Sequence, residues 1–240
     1  MNTRIGIRLA LACMLAACIA SSGRAQQTVF NVPAPDVLEK GNLYLETDQY
    51  LRTWKGDDED AARFFLRGVY GVGSNVEVGL NSGAFDYLHA SQPFLDATVK
   101  WRPFRTNLRE TGDPGALGLF LGNNLGVGLR GDASGDGRDY AYAAGFVTLP
   151  DLQTTISAGP YYATRDVFGD ERVGGQLTLV QPVSWMEGLS VAGDWQSGDG
   201  AYATGGFILS RSPWTFYAAY GFANDGRDGD VLTLELGYSF

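Results

Sequence analysis

The sequence predicts an all-β protein: one antiparallel, up-and-down β-barrel of about twelve strands that crosses a membrane. From Asn42 onward, segments of about ten residues alternate between apolar and polar side chains and are separated by turn-forming residues. This pattern is typical of strands with one apolar face. Beyond the amino terminus there is no run of 18 apolar residues. A membrane-spanning helix is therefore excluded, whereas a barrel can cross with short alternating strands.

Residues 1–25 are predicted to be a signal peptide that is removed from the mature protein. Arg4 and Arg8 form a basic start, residues 9–20 form an apolar core, and residues 23–25 supply a small-residue cleavage site before Gln26. The mature chain would then begin outside the cytoplasm.

Both cysteines, Cys13 and Cys18, lie in this leader, so the mature chain can form no internal disulfide. Residues 15–18 (Leu-Ala-Ala-Cys) also resemble the lipobox of bacterial lipoproteins, in which cleavage precedes the cysteine and a lipid is attached to it. Cleavage near Ala25 and lipidation at Cys18 are two alternatives that the sequence leaves open.

The charge balance excludes one class of partner. The chain has 18 basic and 27 acidic residues, and three of the basic ones (Arg4, Arg8 and Arg24) fall in the leader. The mature chain is therefore strongly acidic, and we expect no nucleic acid partner, because binding to phosphates needs an excess of positive charge.

Residues 26–41 do not alternate and precede the first strand. They contain Pro33 and Pro35, followed by enough residues for about one helical turn before Gly41. One interpretation is a periplasmic leader into the barrel. The other is a plug folded into the lumen, suggested by apolar side chains that would otherwise be exposed to solvent: Val29, Phe30, Val32, Val37 and Leu38.

The barrel itself is expected over residues 42–240. The predicted strands cover residues 43–52, 63–70, 76–81, 95–102, 117–129, 139–148, 152–162, 172–181, 189–196, 201–210, 214–222 and 231–240. An even number of strands returns both ends of the chain to one side, as in bacterial single-chain barrels. We expect that side to be the periplasm. The longer and more acidic connections would then face outward, and the inner turns would be mostly short.

The polar face of these strands carries charged residues. In a packed core such charges would need partners, because an unpaired buried charge costs several kcal/mol. Water in a lumen, or mutual pairing, resolves the difficulty. The candidate lumen-lining residues are Glu46, Asp48, Arg52, Arg63, Arg67, Glu77, Asp96, Lys100, Arg102, Arg172, Asp194 and Glu235.

Aromatic residues lie near the predicted strand ends, as expected for two interfacial belts. Those towards the outer rim include Tyr140, Trp195 and Tyr220, and those towards the inner rim include Trp101, Trp185 and Trp214.

The last strand is the most specific segment. Leu234, Leu236, Tyr238 and the terminal Phe240 alternate with polar or small residues. This arrangement resembles the carboxy-terminal assembly signal of bacterial outer-membrane β-barrels. The resemblance implies that the barrel-assembly machinery of a Gram-negative outer membrane recognises the strand. It also implies outer-membrane lipid and lipopolysaccharide as surroundings.

Two motifs could carry chemistry. His89, the only histidine, lies near Asp86 and Ser91, and some twelve-stranded outer-membrane barrels of similar size are phospholipases that use serine, histidine and asparagine. Residues Asp132, Ser134 and Asp136 resemble the start of a calcium loop, but Ala143 stands where its bidentate acid should be. Solvated polar loops explain both motifs more simply. We therefore predict no enzyme, no cofactor and no metal at the loop.

The chain as a whole resembles small porin-like or transporter-like outer-membrane proteins. The resemblance implies a narrow, passive channel for small polar solutes, because twelve strands enclose a lumen between those of filled eight-stranded barrels and open sixteen-stranded porins. A non-conducting structural or adhesion barrel with acidic loops is the alternative, followed by an outer-membrane hydrolase.

Overall fold

Twelve antiparallel strands close into one barrel in the computed structural model of the chain. The structure describes residues 28–52, 62–83, 93–112, 114–129, 137–164, 172–198, 201–224 and 229–240. Within these ranges no helix is long and apolar enough to cross a membrane. The prediction of an all-β, closed, up-and-down barrel is confirmed.

The strand bounds agree with the predicted segments to within a few residues at most ends. The strands are β1 (Leu43–Arg52), β2 (Ala62–Gly73), β3 (Val76–Gly83), β4 (Phe94–Asn107), β5 (Ala116–Gly128), β6 (Gly137–Thr148), β7 (Thr155–Ala163), β8 (Val173–Pro182), β9 (Leu189–Gln196), β10 (Tyr202–Arg211), β11 (Trp214–Ala223) and β12 (Val231–Ser239).

Several predicted boundaries were wrong, among them the end of β4 and the start of β7. β4 continues to Asn107 because a register shift between Trp101 and Phe104 lets it stay paired with β5, so the connection is shorter than the sequence suggested. β7 begins at Thr155, since the preceding residues form a turn in which the Gln153 N–H donates to the Leu149 carbonyl at 2.9 Å.

The first and last strands close the ring. β1 pairs with β12 in antiparallel register from Tyr44 opposite Ser239 to Arg52 opposite Val231. Leu43 and Phe240 extend this ladder, and the Phe240 N–H donates to the Leu43 carbonyl at 2.8 Å. In hydrocarbon each backbone polar group needs a protein partner, and closure removes the free edges that would lack one.

The outer face of the barrel is apolar and exposed. Leu80 and Leu125 leave 57% and 61% of their surface uncovered, and many other outward leucines and valines are similarly exposed. A continuous apolar exterior of this kind suits lipid contact. Trp214, Tyr238 and Phe240 pack together at one end of this face, with ring centroids 4.6 Å and 4.5 Å apart for the successive pairs.

One predicted member of the outer aromatic belt is misplaced. Tyr140 is only 7% exposed and points into the barrel, where it stacks near Tyr142 and Tyr161. The predicted facing was wrong because β6 carries aromatic or alanine residues on both faces, which leaves no clear alternation. Trp195, by contrast, is 41% exposed on the outer face.

Inward-facing glycines make room for large side chains in the lumen. A Cβ at Gly237 would collide with the Tyr44 ring and hydroxyl, and one at Gly122 would collide with Tyr142. The glycines therefore let aromatic residues lie flat over neighbouring strands and narrow the interior.

Candidate functional site in the barrel lumen

The strand register gathers the inward-facing charges of neighbouring strands into pairs. Glu46 lies opposite Arg67, and Glu77 lies opposite Lys100. Arg67 Nη1 is 2.8 Å from Glu46 Oε1, and Lys100 Nζ is 2.9 Å from Glu77 Oε1. Both pairs are largely shielded from solvent, so their mutual attraction offsets part of the cost of removing them from water.

A third pair lies towards the other end of the lumen. Arg138 Nε is 3.5 Å from Asp96 Oδ1, and the Arg138 guanidinium also lies 4.1 Å from the centroid of the Phe94 ring. Arg138 was not among the predicted lumen residues because it was assigned to a loop. The structure starts β6 at Gly137, which places Arg138 opposite Gly126 on the strand ladder.

Residues 28–41, which we call the inner segment, enter this charged interior. Thr28 and Pro33 form an isolated bridge around a tight turn, in which the Val29 N–H donates to the Val32 carbonyl at 2.9 Å. Val29, Phe30, Val32 and Leu38 are each at most 2% exposed. The apolar side chains noted in the sequence are therefore covered by the barrel.

The turn of the inner segment is held by one carboxylate. The backbone N–H groups of Phe30, Asn31 and Val32 all donate to Asp194 Oδ2, at 2.5–3.0 Å. The Asn31 side chain also reaches Thr204 Oγ1 at 2.8 Å. Three converging N–H groups form a concave anion site, and here the anion is a side chain of the barrel wall.

Side chains on β2, β3 and β4 bind the rest of the inner segment. Glu77 Oε2 accepts the Leu38 N–H at 2.8 Å, and Lys100 Nζ donates to the Ala34 carbonyl at 3.2 Å. Arg67 Nη1 donates to Thr28 Oγ1 at 3.0 Å, and Arg102 Nη1 donates to the Pro35 carbonyl at 3.4 Å. The buried ion pairs of the lumen thus also bind the segment.

These contacts explain why the predicted helical turn before Gly41 is wrong. Residues 36–39 are irregular, because the Leu38 N–H bonds to Glu77 and not to a preceding carbonyl. Gly41 adopts φ +92°, and its N–H donates to the Gly71 carbonyl at 2.9 Å. A positive φ at this turn favours glycine.

Apolar packing holds the inner segment against the opposite wall. Val29, Phe30 and Ala34 pack in one buried cluster with four barrel residues: Ala192, Ile208, Tyr217 and Ala219. Leu38 packs separately against Tyr44 and Val69. The segment therefore touches both sides of the lumen.

Space remains beside the inner segment. A cavity of about 180 Å³ is lined by Thr28 and Asn31 of the segment and by barrel residues that include Asp48, Arg67 and Arg138. A smaller cavity of about 40 Å³ lies between the segment and Glu77, Lys100 and Tyr142. Both are lined by mixed charged, amide and aromatic groups, which can exchange hydrogen bonds with a polar solute.

Most predicted lumen residues do point inward. Glu46, Asp48, Glu77, Asp96, Lys100, Asp194 and Glu235 are buried, and Arg67 and Arg102 are partly buried. Arg63 lies opposite Tyr50 in the ladder but is exposed, and Arg172 is exposed just before β8. Arg52 belongs to β1, and its side chain lies outside the described part of the structure. That solutes pass along these residues stays a prediction.

The two sequence motifs with possible chemistry cannot be placed. His89, Asp86 and Ser91, as well as Asp132, Ser134 and Asp136, lie outside the described residues. The predicted signal peptide, residues 1–25, lies outside them too.

Comparison with known proteins gives matches by fold only. No family model and no curated protein matches the chain. Among solved structures, it is similar to the KdgM porin, with a TM-score of 0.55, 12% identity, and coverage of 82% of this chain and 99% of that chain. The KdgM porin in complex with disordered oligogalacturonate gives a TM-score of 0.52, 12% identity, and coverage of 83% and 99%. With its closed twelve-strand ring, the chain has a porin-like β-barrel fold.

Proposed function

We propose that the chain is a passive outer-membrane channel for small polar solutes and that the inner segment closes it. The observation that carries the proposal is how the segment is held. It is bound inside the lumen by side-chain hydrogen bonds and packing. Apart from Gly41, whose N–H donates to the Gly71 carbonyl of β2, it takes no place in the strand ladders of the ring. The segment could therefore leave the lumen without opening the wall.

The geometry of the lumen supports this function. The exterior is apolar and the interior is charged, so the barrel places a polar path inside an apolar wall. Twelve strands enclose more space than their own side chains fill, and the inner segment occupies part of that space. The contacts of residues 28–38 support a plug over a free periplasmic leader.

The lumen also bears on the kind of solute. It contains both acidic and basic side chains, as in the pairs Glu46 with Arg67, Glu77 with Lys100, and Asp96 with Arg138. A uniformly basic lining would favour polyanions such as the oligogalacturonate of the KdgM complex. The mixed lining supports small polar solutes without a strong preference for anions.

Planar-bilayer recordings test the proposal directly. We expect the full mature chain to show small or infrequent conductance steps, and a chain lacking residues 26–41 to show larger and more frequent ones. Circular dichroism in detergent would first establish that both preparations are folded β proteins.

The two parts of the proposal fail separately. Folded preparations of both chains without conductance steps or solute flux would end the channel proposal. Equal conductance with and without residues 26–41 would end the plug while leaving the channel.

A non-conducting structural barrel is the second candidate, and one observation favours it. Phe120, Tyr140, Tyr142, Phe146 and Tyr161 form a buried aromatic cluster inside β5–β7 and fill that side of the lumen. If the chain without residues 26–41 folds but passes no ions, this filling is the reason.

The setting of the barrel is also a proposal. Leu234, Leu236 and Phe240 are exposed on the outer face of the closing strand, where a membrane-embedded assembly factor can bind them. This position supports recognition by the barrel-assembly machinery, with both chain ends in the periplasm and lipid and lipopolysaccharide around the wall.

A further inference from the structure

Three carboxylates meet inside the barrel where its first and last strands join. Glu46 and Asp48 come from β1 and Glu235 comes from β12, with Asp48 and Glu235 directly opposite in the ladder. They are 1%, 1% and 4% exposed. One oxygen from each carboxylate lies within 4.8 Å of the others.

The three carboxylates differ in how they are bonded. Glu46 is fully engaged: its Oε1 is 2.8 Å from Arg67 Nη1, and its Oε2 accepts the Tyr44 hydroxyl at 2.7 Å. Asp48 Oδ2 is 3.5 Å from Arg67 Nη2, but its Oδ1 has no hydrogen-bond partner among the described residues. Within those same residues, neither oxygen of Glu235 has a partner.

The charges at this point do not balance. Arg67 is the cation that pairs with the cluster, against three carboxylates. The other buried pairs of the lumen are matched one to one, as for Glu77 with Lys100. The Tyr44 hydroxyl donates to Glu46 and lies 3.3 Å from the Tyr217 hydroxyl, and neither phenol carries a positive charge. Among the described residues, two of the three buried negative charges therefore have no compensating cation, which costs several kcal/mol unless something neutralises them.

We propose that Glu46, Asp48 and Glu235 bind one divalent cation of the calcium class. Calcium takes carboxylate oxygens at about 2.3–2.6 Å, so three oxygens that all lie within 4.8 Å of one another are close enough to contact one ion. Its charge cancels the excess on the cluster. Asp48 also lines the cavity of about 180 Å³, which gives the ion a way in and space for bound water.

Calorimetry and thermal unfolding test the site on the full chain in detergent, after chelator treatment and dialysis. Calorimetric titration with calcium chloride should show one ion bound per chain. In thermal unfolding, calcium should raise the melting temperature. Glu235→Gln keeps the shape of the side chain but removes its negative charge, and should weaken calcium binding about tenfold or more. Asp96→Asn, a buried lumen carboxylate paired with Arg138, is the matched control and should bind calcium as the parent does.

The stability of the variant adds a second readout. In chelator, Glu235→Gln should melt at a higher temperature than the parent, because one uncompensated buried charge is gone. In excess calcium the parent should melt at the higher temperature of the two. Asp48→Asn should behave in the same way, and it serves if Glu235→Gln folds poorly.

Several outcomes would overturn the proposal. One is that calcium leaves the melting temperature of the parent unchanged. Another is that the variants at positions 48 and 235 bind calcium as tightly as the parent, which would place the ion on the acidic connections between strands. Identical melting of the parent and Glu235→Gln in chelator would mean that protons already neutralise the cluster. None of these readouts depends on whether the barrel conducts.

Discussion

The two sides of the lumen hold the inner segment by different means. The charged wall, formed by the inward faces of β12, β1, β2, β3 and β4, binds the segment through side chains that already belong to ion pairs. The opposite wall, formed by β9, β10 and β11, covers Val29, Phe30 and Ala34 with apolar side chains and adds one carboxylate, Asp194.

The difference shows how a chain can be held in a polar lumen. On the charged wall each hydrogen bond is to a charged group and contributes about 1.5–3 kcal/mol at most, and each of those groups is shared with an ion-pair partner. On the opposite wall, burial of apolar surface and a carboxylate shared by three N–H groups give larger gains. We therefore expect the opposite wall to decide whether the segment stays bound.

Substitution of Asp194 should have the largest effect. Asp194→Ala leaves three backbone N–H groups without their acceptor in a buried site, and each buried donor left unsatisfied costs about 1–3 kcal/mol. The segment should detach, with exchange of its amide hydrogens faster by about 100-fold or more. Hydrogen exchange followed by mass spectrometry on residues 26–41 measures this.

Asp96→Ala is the control for that experiment. Asp96 is another buried lumen carboxylate, but it pairs with Arg138 and makes no hydrogen bond to the segment in the described structure. It should leave exchange in residues 26–41 close to that of the parent. Equal effects of the two variants would show that loss of any lumen carboxylate loosens the segment, and the special role of Asp194 would be lost.

Removal of the Phe30 ring should have the next largest effect. Phe30 is 1% exposed and packs with Ile208 and Tyr217. Phe30→Ala should weaken docking by about 3 kcal/mol, at the low end for a buried phenylalanine, because water can enter from the neighbouring cavity. In bilayers the variant should open more often than the parent.

The matched change is Phe146→Ala, which removes a buried ring from the aromatic cluster of β5–β7, away from the segment. It should lower the melting temperature of the barrel and leave the opening frequency unchanged. If Phe146→Ala opened the channel as much as Phe30→Ala, general loosening of the lumen would explain both.

The comparison also shows what the sequence could and could not predict. Alternation along β1 places Glu46 and Asp48 inside and Leu45 outside, so the fold and the charged wall follow from a local pattern. The bonding of Asp194 to Phe30, Asn31 and Val32 spans more than 160 residues, and no local pattern carries it. Tyr140 was misassigned because alternation is weak along β6, and Arg138 was missed because the strand was predicted to start at residue 139 and starts at Gly137.

Removal of one hydroxyl from the aromatic side of the lumen should have the smallest effect. The Tyr140 hydroxyl donates to Gln176 Oε1 at 2.6 Å and accepts from Gln196 Nε2 at 2.7 Å. Tyr140→Phe should lower the free energy of unfolding by about 1 kcal/mol without changing conductance, because both of these hydrogen bonds are to barrel side chains. Urea unfolding in detergent, followed by tryptophan fluorescence, measures the loss.

Tyr142→Phe, whose hydroxyl makes no hydrogen bond among the described residues, should unfold as the parent does. A conductance change in Tyr140→Phe alone would mean that the aromatic cluster also controls the opening of the lumen. The inference that the wall of β9, β10 and β11 decides whether the segment stays bound would then be wrong.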